Sequence, residues 1–348
     1  MDRLWQPGRI GPMELKNRAV RSATNEHLAT PKGYLTQRWA DTEIELAKHE
    51  VGLIISGHFT VDGTQRADEG QPVLDQRAQP EILRYAADGV HQYGGRLVIQ
   101  ISHPGPKVIP GVNQLPARMP DDLSLEEMDT LTQRFVFAAK KAKDCGIDGV
   151  QLHLAHGYLL SSFLNPEVNH RQDEYGGSLE NRFRLAGRIL REMREACGKE
   201  FAILVKVDRD ASGDLSGLLR LCQQAGVDGA EISGLDVGAR PGQKTPFYLE
   251  DLRQVRADVT MPLILVGGIF SLETAETVLE SGADFAAFSR SLIYQPDFIA
   301  RMRSGLQTES KCAACGNCYK VYRQRPMRCV FHKEEIPELE AVFGPYGK

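Results

Sequence analysis

Two histidines and a tyrosine stand close together where an apolar run ends. The run from Gly149 to Leu152 leads into His153, and His156 and Tyr158 follow within five residues. Two imidazole N–H groups can polarise a carbonyl oxygen, and a phenol can deliver a proton to a nearby atom. The spacing therefore predicts acid catalysis on a carbonyl compound, with a polar surface loop as the alternative reading.

The elements that must position these residues repeat along the chain. Strand-like apolar runs alternate with amphipathic stretches of helical length, which predicts a parallel sheet. A count of eight strands predicts closure into a (β/α)8 TIM barrel, an α/β fold, and a doubly wound open sheet is the alternative. The predicted strands are 18–23, 51–57, 96–102, 149–154, 201–207, 229–233, 262–268 and 285–290, and the predicted helices include 35–49, 80–93, 125–144, 179–196, 271–280 and 297–304.

Further polar residues fall where barrel enzymes carry their active sites, at the C-terminal ends of strands. A buried Gln or Lys costs several kcal/mol if it is unpaired. We therefore expect Gln100 and Lys206 to bind a polar cofactor, or else to satisfy each other inside the barrel. The residues that follow or end the other strands are Ser22, Ala23, Asn25, Ser289 and Arg290.

The last two strands predict a phosphate site. Gly267-Gly268 would let the backbone approach a ligand closely, and Arg290 follows the end of the next strand. Barrel enzymes often bind phosphate with these two loops, through backbone N–H groups. The glycine pair alone would indicate only a tight turn, and its combination with the arginine favours a phosphate.

A longer signature surrounds the histidines. Residues 165–182 read NPEVNHRQDEYGGSLENR, and residues 15–18 read LKNR. These motifs closely resemble those of the old yellow enzyme family of FMN-dependent oxidoreductases, and the resemblance covers roughly residues 1–300. It implies a TIM barrel with FMN as cofactor, NAD(P)H as co-substrate, and hydride transfer to the activated C=C bond of an α,β-unsaturated carbonyl compound.

The resemblance also implies roles for the site residues. His153 and His156 would bind the substrate oxyanion, and Tyr158 would protonate the substrate carbon. The residues implied to hold FMN are Ser22, Ala23 and Asn25 beside its reactive edge, Gln100 and Lys206 at its pyrimidine end, and Gly267, Gly268, Ser289 and Arg290 around its phosphate. Three of these depart from the family's pattern, since Asn25, Lys206 and Ser289 stand where members usually carry Cys or Thr, Arg, and Gly.

Four cysteines form a second group near the C-terminus. Cys312, Cys315, Cys318 and Cys329 lie within eighteen residues. This spacing is typical of an iron–sulfur or tetrahedral zinc site, with disulfides or free thiols as alternatives. The segment resembles the cluster-binding segment of the 2,4-dienoyl-CoA reductase and trimethylamine dehydrogenase branch, although two intervals are one residue shorter. We expect one metal centre, a [4Fe–4S] cluster rather than zinc, in an extension (306–348) that follows the barrel (1–305).

The composition of the chain narrows the classes of protein to which it can belong. A net charge of −4 over 348 residues gives no basic face for nucleic acid. No apolar run approaches the roughly 20 residues that span a membrane, and MDRLWQPGRI does not resemble an export signal. We therefore expect a cytoplasmic protein with reduced thiols. Alternatives that stay open are an iron–sulfur/FMN electron-transfer component or dehydrogenase with a redox partner protein, a barrel that binds another phosphorylated ligand, and a homo-oligomer.

Overall fold

Eight parallel strands close into a barrel in the computed structural model, which describes residues 3–109, 111–113, 115–235, 240–321 and 326–331. β3 pairs with β4, the pairing continues from β4 through β6 to β11, and β11 pairs with β3. The predicted (β/α)8 barrel is confirmed, and the open sheet is wrong. The strands are β1 (Gly8–Ile10), β2 (Met13–Leu15), β3 (Ala19–Arg21), β4 (Leu53–Ile55), β5 (Phe59–Thr60), β6 (Arg96–Ser102), β7 (Gly149–Leu154), β8 (Ala202–Asp208), β9 (Gly229–Ser233), β10 (Leu263–Val266) and β11 (Phe285–Phe288).

Amphipathic helices surround the barrel and bury one face each against it. Their ends follow local capping: Ser124 accepts a hydrogen bond from the Glu127 amide at the start of the longest helix, and the Glu127 carboxylate accepts one from the Ser124 amide. The six helices predicted by range are present, with bounds that differ by at most two residues. The helices are α1 (Gln37–Lys48), α2 (Pro80–Gln92), α3 (Leu125–Asp144), α4 (Leu159–Leu164), α5 (Leu179–Cys197), α6 (Leu215–Gln224), α7 (Leu249–Arg256), α8 (Leu272–Glu280), α9 (Arg290–Tyr294), α10 (Phe298–Arg303) and α11 (Asn317–Val321).

A hairpin that the sequence did not predict closes the N-terminal end of the barrel. β1 and β2 pair antiparallel, with Ile10 opposite Met13. The apolar side chains of the hairpin pack against barrel-interior residues such as Val20, Leu53 and Leu204. Burial of this apolar surface stabilises the barrel from below, so the strands need not fill that end themselves.

The segment after α10 returns to the C-terminal ends of the strands. The Ser310 amide donates to the Phe270 carbonyl, and the Gly242 amide donates to the Ala314 carbonyl. These bonds hold the cysteine segment against the loops that follow β9 and β10. The predicted boundary at residues 305 and 306 stays a prediction, and residues 332–348 lie outside the described residues. Within the described part of the chain, no helix is both long and apolar enough to cross a membrane.

Candidate active site

One cavity of about 410 Å³ opens at the C-terminal ends of the strands. Such a volume suits a small-molecule or cofactor site. The twelve non-cysteine residues predicted for the site all line it: Ser22, Ala23, Asn25, Gln100, His153, His156, Tyr158, Lys206, Gly267, Gly268, Ser289 and Arg290. The barrel thus brings together residues from six strands that lie up to 268 positions apart, and their individual roles stay predictions.

The two histidines and the tyrosine form a ring cluster at one side of this cavity. The His153 and His156 ring centroids lie 5.1 Å apart, and the His153 and Tyr158 centroids lie 4.8 Å apart. His153 is the next-to-last residue of β7 and pairs with Lys206 of β8, and a left-handed backbone at His156 (φ 63°) turns the chain immediately after the strand. The strand end and this tight turn place the three polar groups on one wall.

Both imidazoles are neutral near pH 7. Burial lowers the pKa of His153 well below its ordinary range, and the nearby His156 lowers it further. Burial and the charge of Lys206 lower the pKa of His156 in the same way. A neutral imidazole donates one hydrogen bond and accepts one, so each ring can present a single N–H to a ligand. The Nδ1 atom of His153 is buried without a hydrogen-bond partner among the described residues.

Asp208 and its neighbours hold the turn that carries His156. The His156 amide donates to Asp208 Oδ2 over 2.6 Å, and the Ser161 hydroxyl donates to the same oxygen over 3.1 Å. The ring of His156 is fixed through its Nε2 atom, which lies 2.9 Å from Ser233 Oγ. Burial raises the pKa of Asp208 to about 7. These contacts make Asp208 a positioning residue that the sequence did not identify.

A third histidine joins the cluster from the loop after β4. His58 is 6% exposed, its ring stacks on His153 with centroids 6.0 Å apart, and its Nε2 atom lies 3.1 Å from the Tyr158 hydroxyl. Sequence reasoning missed His58 because it lies one hundred positions before Tyr158, in a segment with no motif. One indication was available in the sequence: His58 directly follows the predicted strand 51–57. Polar residues at the ends of other predicted strands were identified in this way.

The floor of the cavity is a ladder of polar side chains inside the barrel. Gln100 donates to Gln151 over 2.7 Å, and Gln151 donates to Glu231 over 2.9 Å. Lys206 donates to Glu231 and to the Ser22 hydroxyl over 3.2 and 2.8 Å. Gln100 and Lys206 therefore do not pair with each other, and both are already bonded through two residues that the sequence did not single out.

The opposite side of the cavity follows β10 and needs its two glycines. A Cβ atom on Gly267 would lie 2.8 Å from the Phe247 ring, and one on Gly268 would collide with the Thr245 carbonyl. Both glycines also have positive φ, 112° and 76°. The close approach of residues 245–247 requires these glycines, and it leaves their backbone at the cavity surface.

The two residues that follow β11, Ser289 and Arg290, connect the cavity to the cysteine segment. Ser289 Oγ lies 3.2 Å from the Tyr319 hydroxyl and 3.2 Å from Thr24 Oγ1. The Arg290 guanidinium donates to the Ala314 carbonyl over 2.9 Å and lies over the Phe270 ring. Tyr319 and Met327, from the cysteine segment, line the cavity as well. The segment is thus part of the wall of the site.

Asn25 belongs to a buried polar cluster beside the cavity. Its side-chain amide donates to Asp68 over 2.7 Å, and His27 lies 2.7 Å from the other oxygen of the same carboxylate. Asp68 thereby fixes the orientation of the Asn25 amide. The side chain that stands where the resembled family carries Cys or Thr is therefore held by the protein itself.

The four predicted metal ligands line one small cavity beside Arg290. All seven cysteines are free thiols, so the disulfide alternative is not seen. Burial raises the pKa of the Cys318 thiol to about 11, and a cation would be needed to hold a thiolate there. Among the described residues, no three His, Cys, Asp or Glu side chains are grouped closely enough to hold a metal ion.

The main cavity has the donor set of a site for a flat polar cofactor with a phosphate. Its floor offers the amide of Gln100 and the ammonium group of Lys206, and the glycine backbone and Arg290 stand at one side. The unpartnered Nδ1 atom of His153 lies at the other side. Polar groups in a buried cleft that are not fully satisfied by the protein indicate a ligand. The residues present therefore fit FMN.

The chain is similar to known proteins along most of its length. An NADH oxidase from Thermoanaerobacter brockii is 32% identical over an alignment of 94% of this chain and 55% of that protein. The structure of 2-naphthoyl-CoA reductase with 2-naphthoyl-CoA has a TM-score of 0.85 at 22% identity and covers 99% of this chain and 58% of that one. The old yellow enzyme homologue from Zymomonas mobilis has a TM-score of 0.75 at 26% identity, with 88% and 94% covered.

A protein-family model also matches most of this chain. The chain spans about half the length of the first two proteins. The model of the NADH:flavin oxidoreductase / NADH oxidase family matches residues 3–309, which include every strand of the barrel. The predicted resemblance to the old yellow enzyme family is confirmed. The chain belongs to the NADH:flavin oxidoreductase / NADH oxidase family of flavin-dependent oxidoreductases.

Proposed function

We propose that this protein uses FMN and NAD(P)H to reduce the activated C=C bond of α,β-unsaturated carbonyl compounds. The observation that carries the proposal is the ring cluster: two neutral imidazoles and a phenol line the same cavity as the residues that fit FMN. A site that only relays electrons needs neither an oxyanion site nor a proton donor. Family membership supports FMN as the cofactor and NAD(P)H as the hydride donor.

The polar residues would bind two different parts of the cofactor at two sides of the cavity. Gln100 and Lys206 would hold the polar ring edge, while Gly267, Gly268 and Arg290 would hold the phosphate. The remaining contacts with the cofactor would come from four other residues of the cavity lining, Ser22, Ala23, Asn25 and Ser289. When bound, FMN accepts a hydride from one molecule and passes it to another. Lys206 would act as a point charge near the ring, because a lysine lacks the fork of an arginine.

The histidines would hold the substrate carbonyl. As neutral rings, His153 and His156 each supply one N–H without bringing a positive charge. Negative charge grows on the carbonyl oxygen when the β carbon receives a hydride, and preorganised donors stabilise that charge. The ring of His156 is held by its contact with the Ser233 hydroxyl, and its backbone amide is held by Asp208. Little reorganisation of the ring is therefore needed.

Tyr158 would complete the reduction by giving a proton to the α carbon. Its hydroxyl lies within the ring cluster, 3.1 Å from His58. An anaerobic experiment tests this role: photoreduced protein is mixed with 2-cyclohexenone, and the return of flavin absorbance and the saturated product are followed. We expect Tyr158→Phe to keep its FMN and its reduction by NAD(P)H while enone turnover falls by about 10²–10⁴. Turnover at the parent rate would show that another group gives the proton.

We also propose a metal centre held by Cys312, Cys315, Cys318 and Cys329, with a [4Fe–4S] cluster favoured over zinc. The shared cavity of the four free thiols supports it, together with the CxxCxxC spacing. Metal analysis on anaerobically purified protein separates the two: about four iron with acid-labile sulfide, or about one zinc, per chain. Neither metal, with four thiols that react freely with iodoacetamide in the folded protein, would contradict the proposal.

A second candidate function is an electron-transfer component or dehydrogenase that works with a redox partner protein. The contact of the cysteine segment with the cavity favours it, since Tyr319 is next to Cys318 in sequence and also lines the cavity. An electron acceptor test distinguishes the two. If the cluster exchanges electrons with the site, NADH-reduced protein should reduce ferricyanide quickly, and Cys318→Ser should slow this reaction while enone reduction continues.

A further inference from the structure

We propose that His58 is a positioning residue for Tyr158: it donates its Nε2–H to the phenol oxygen and thereby directs and assists proton delivery. The inference rests on the proposed function, in which Tyr158 is the proton donor. It is carried by an ordered chain of hydrogen bonds that begins at a backbone amide and ends at the phenol. The three side chains of this chain are Gln71, His58 and Tyr158.

The first step fixes the orientation of the Gln71 amide. The Ala67 backbone N–H donates to Gln71 Oε1 over 2.7 Å. The Nε2 atom of Gln71 faces two atoms of His58, the ring Nδ1 at 2.6 Å and the backbone carbonyl oxygen at 3.3 Å. A flipped amide would place its NH₂ group against the Ala67 N–H and its oxygen against the His58 carbonyl. The orientation with Nε2 toward His58 is therefore the one that satisfies every group.

The second step follows from the first and fixes the tautomer of His58. An amide NH₂ group only donates, so Nδ1 of His58 must accept. Burial lowers the pKa of His58 to about 4, so the ring is neutral at working pH and carries its single hydrogen on Nε2. The Ser102 hydroxyl, 3.2 Å from Nδ1, donates to the Phe59 carbonyl and makes no competing demand on the ring.

The third step concerns the phenol. Since the Nε2–H of His58 points at the Tyr158 oxygen, the hydrogen of the phenol must point away from His58. In the proton-transfer step the Tyr158 O–H bond breaks, a C–H bond forms at the substrate α carbon, and the electron pair stays on the phenolate oxygen. The donated hydrogen bond favours the charged phenolate over the phenol. Solvent then returns the proton to Tyr158.

Other charged or titratable groups face this pair from several elements. His153 contacts both rings, and the electrostatic neighbours of His58 include Asp68, which raises its pKa, and His27, which lowers it. Burial has a larger effect on the pKa of His58 than either neighbour. His58 therefore stays neutral and is not converted to the imidazolium form. The further cations and histidines around the cluster are His156, Lys206 and Lys107.

The tautomer can be measured directly. Nitrogen-15 NMR of the histidine-labelled, FMN-loaded protein separates a ring nitrogen that carries a hydrogen from one that does not, and the His58 signals are assigned by their loss in His58→Phe. We expect a protonated Nε2 and a bare Nδ1 at pH 7. In Gln71→Met, which removes the donor to Nδ1, we expect this preference to weaken. A protonated Nδ1 in the parent protein would overturn the inference whatever the variants do.

The effect on proton delivery is measured with matched variants. His58→Phe keeps the ring and removes the donor, and we expect enone turnover to fall about ten- to a hundredfold with KM little changed, as for a hydrogen bond to a charged group. The high-pH limit of activity should move upward as well. His58→Gln, which places an amide N–H near the Nε2 position, should restore part of the rate. Ser102→Ala, which alters a contact of His58 outside the ordered chain, should stay within about threefold.

The outcomes separate this inference from the proposed function. If Tyr158→Phe turns over enone at the parent rate, the proposed role of the tyrosine fails. If Tyr158→Phe is slow but His58→Phe is not, only the inference fails. A slow His58→Phe that His58→Gln does not improve, with an unmoved pH profile, would show that His58 only packs against the tyrosine. FMN content and melting temperature, measured for every variant, identify any that fail to fold.

Discussion

The two sides of the cavity are built differently. The histidine wall (His58, His153, His156 and Tyr158) is held by bonds among side chains of the barrel and its first loops. The glycine wall (Gly267, Gly268, Ser289 and Arg290) is held against residues 314 and 319 of the cysteine segment. Under the proposed function, we therefore expect the chemistry to depend on the barrel and the hold on FMN to depend also on the cysteine segment.

We expect the largest effect from substitutions that disrupt the histidine wall. Replacing both His153 and His156 with Ala removes the two N–H donors, and the loss of one such donor typically costs about 10²–10³ in rate. We expect reoxidation of the reduced protein by 2-cyclohexenone to slow at least that much, measured by stopped-flow absorbance. FMN content should stay near that of the parent. Equal reoxidation rates would remove these residues from the proposed mechanism.

A smaller effect is expected from the glycine wall. Arg290→Ala removes a buried cation that bonds to Ala314 and lines the cavity. Hydrogen bonds to charged groups contribute about 1.5–3 kcal/mol, so the Kd for FMN should rise about ten- to a hundredfold. Fluorescence titration of the apoprotein measures it, and Arg301→Ala on α10 is the matched control. Unchanged affinity in Arg290→Ala would contradict the proposed phosphate site.

Two groups at the histidine wall, His58 and Asp208, should change the stability with pH in opposite directions, because their pKa values are shifted in opposite directions. The pKa of His58 falls from 6.5 to about 4, so its stabilising contribution is full above pH 6.5 and is lost as the pH falls toward 4. The pKa of Asp208 rises from 3.8 to about 7, so its contribution is full below pH 3.8 and is lost as the pH rises toward 7.

Each group changes the free energy of unfolding by about 1.4 kcal/mol per pH unit within its window. Urea unfolding between pH 4.5 and 6.5 tests this on the purified protein. We expect His58→Phe to make stability fall less steeply toward low pH, and Asp208→Asn to make it fall more steeply. Parallel curves for the parent and both variants would mean that these groups titrate normally in the folded protein.

The smallest effect on chemistry is expected from the cysteine segment. Cys312→Ser should remove the metal proposed there and weaken the hold on FMN, because the segment supports Arg290 through Ala314. The fraction that still carries FMN should reduce 2-cyclohexenone within about threefold of the parent rate. Cys145→Ala, at a buried thiol far along the chain from this segment, is the control. A large loss of enone turnover in loaded Cys312→Ser would show that the two walls do not act separately.

Most of the fold was predictable because each barrel strand is an apolar run that alternates with a helical stretch. The hairpin of β1 and β2 was not, since strands of three residues are too short to show a period of two. Both bounds of α3 are marked in the sequence. Ser124 and Glu127 form a capping box at its start, and Gly146, which has a positive φ, follows its end.

The site was predictable only where a motif marked it. His153 lies near the end of one strand and His156 and Tyr158 follow it, so their spacing was visible. His58 instead comes near Tyr158 only because the barrel is closed. The partners of Gln100 and Lys206 were hidden in the same way. Gln151 is the register partner of Gln100, and Glu231 is that of Lys206. Pairing of strands, which no single run reveals, places these polar residues at the same height.

The hairpin that seals the lower end of the barrel bears on the kinetics that the proposed function would give. With Ile10, Met13 and Leu15 packed into the base, we expect the nicotinamide and the enone of the proposed reaction to enter by the same opening among the loops. If both reactants also bind at the same place over the cofactor, they must take turns, and the first product must leave before the second reactant binds. Initial rates should then give parallel lines in double-reciprocal plots, and an excess of either reactant should inhibit by occupying the place of the other.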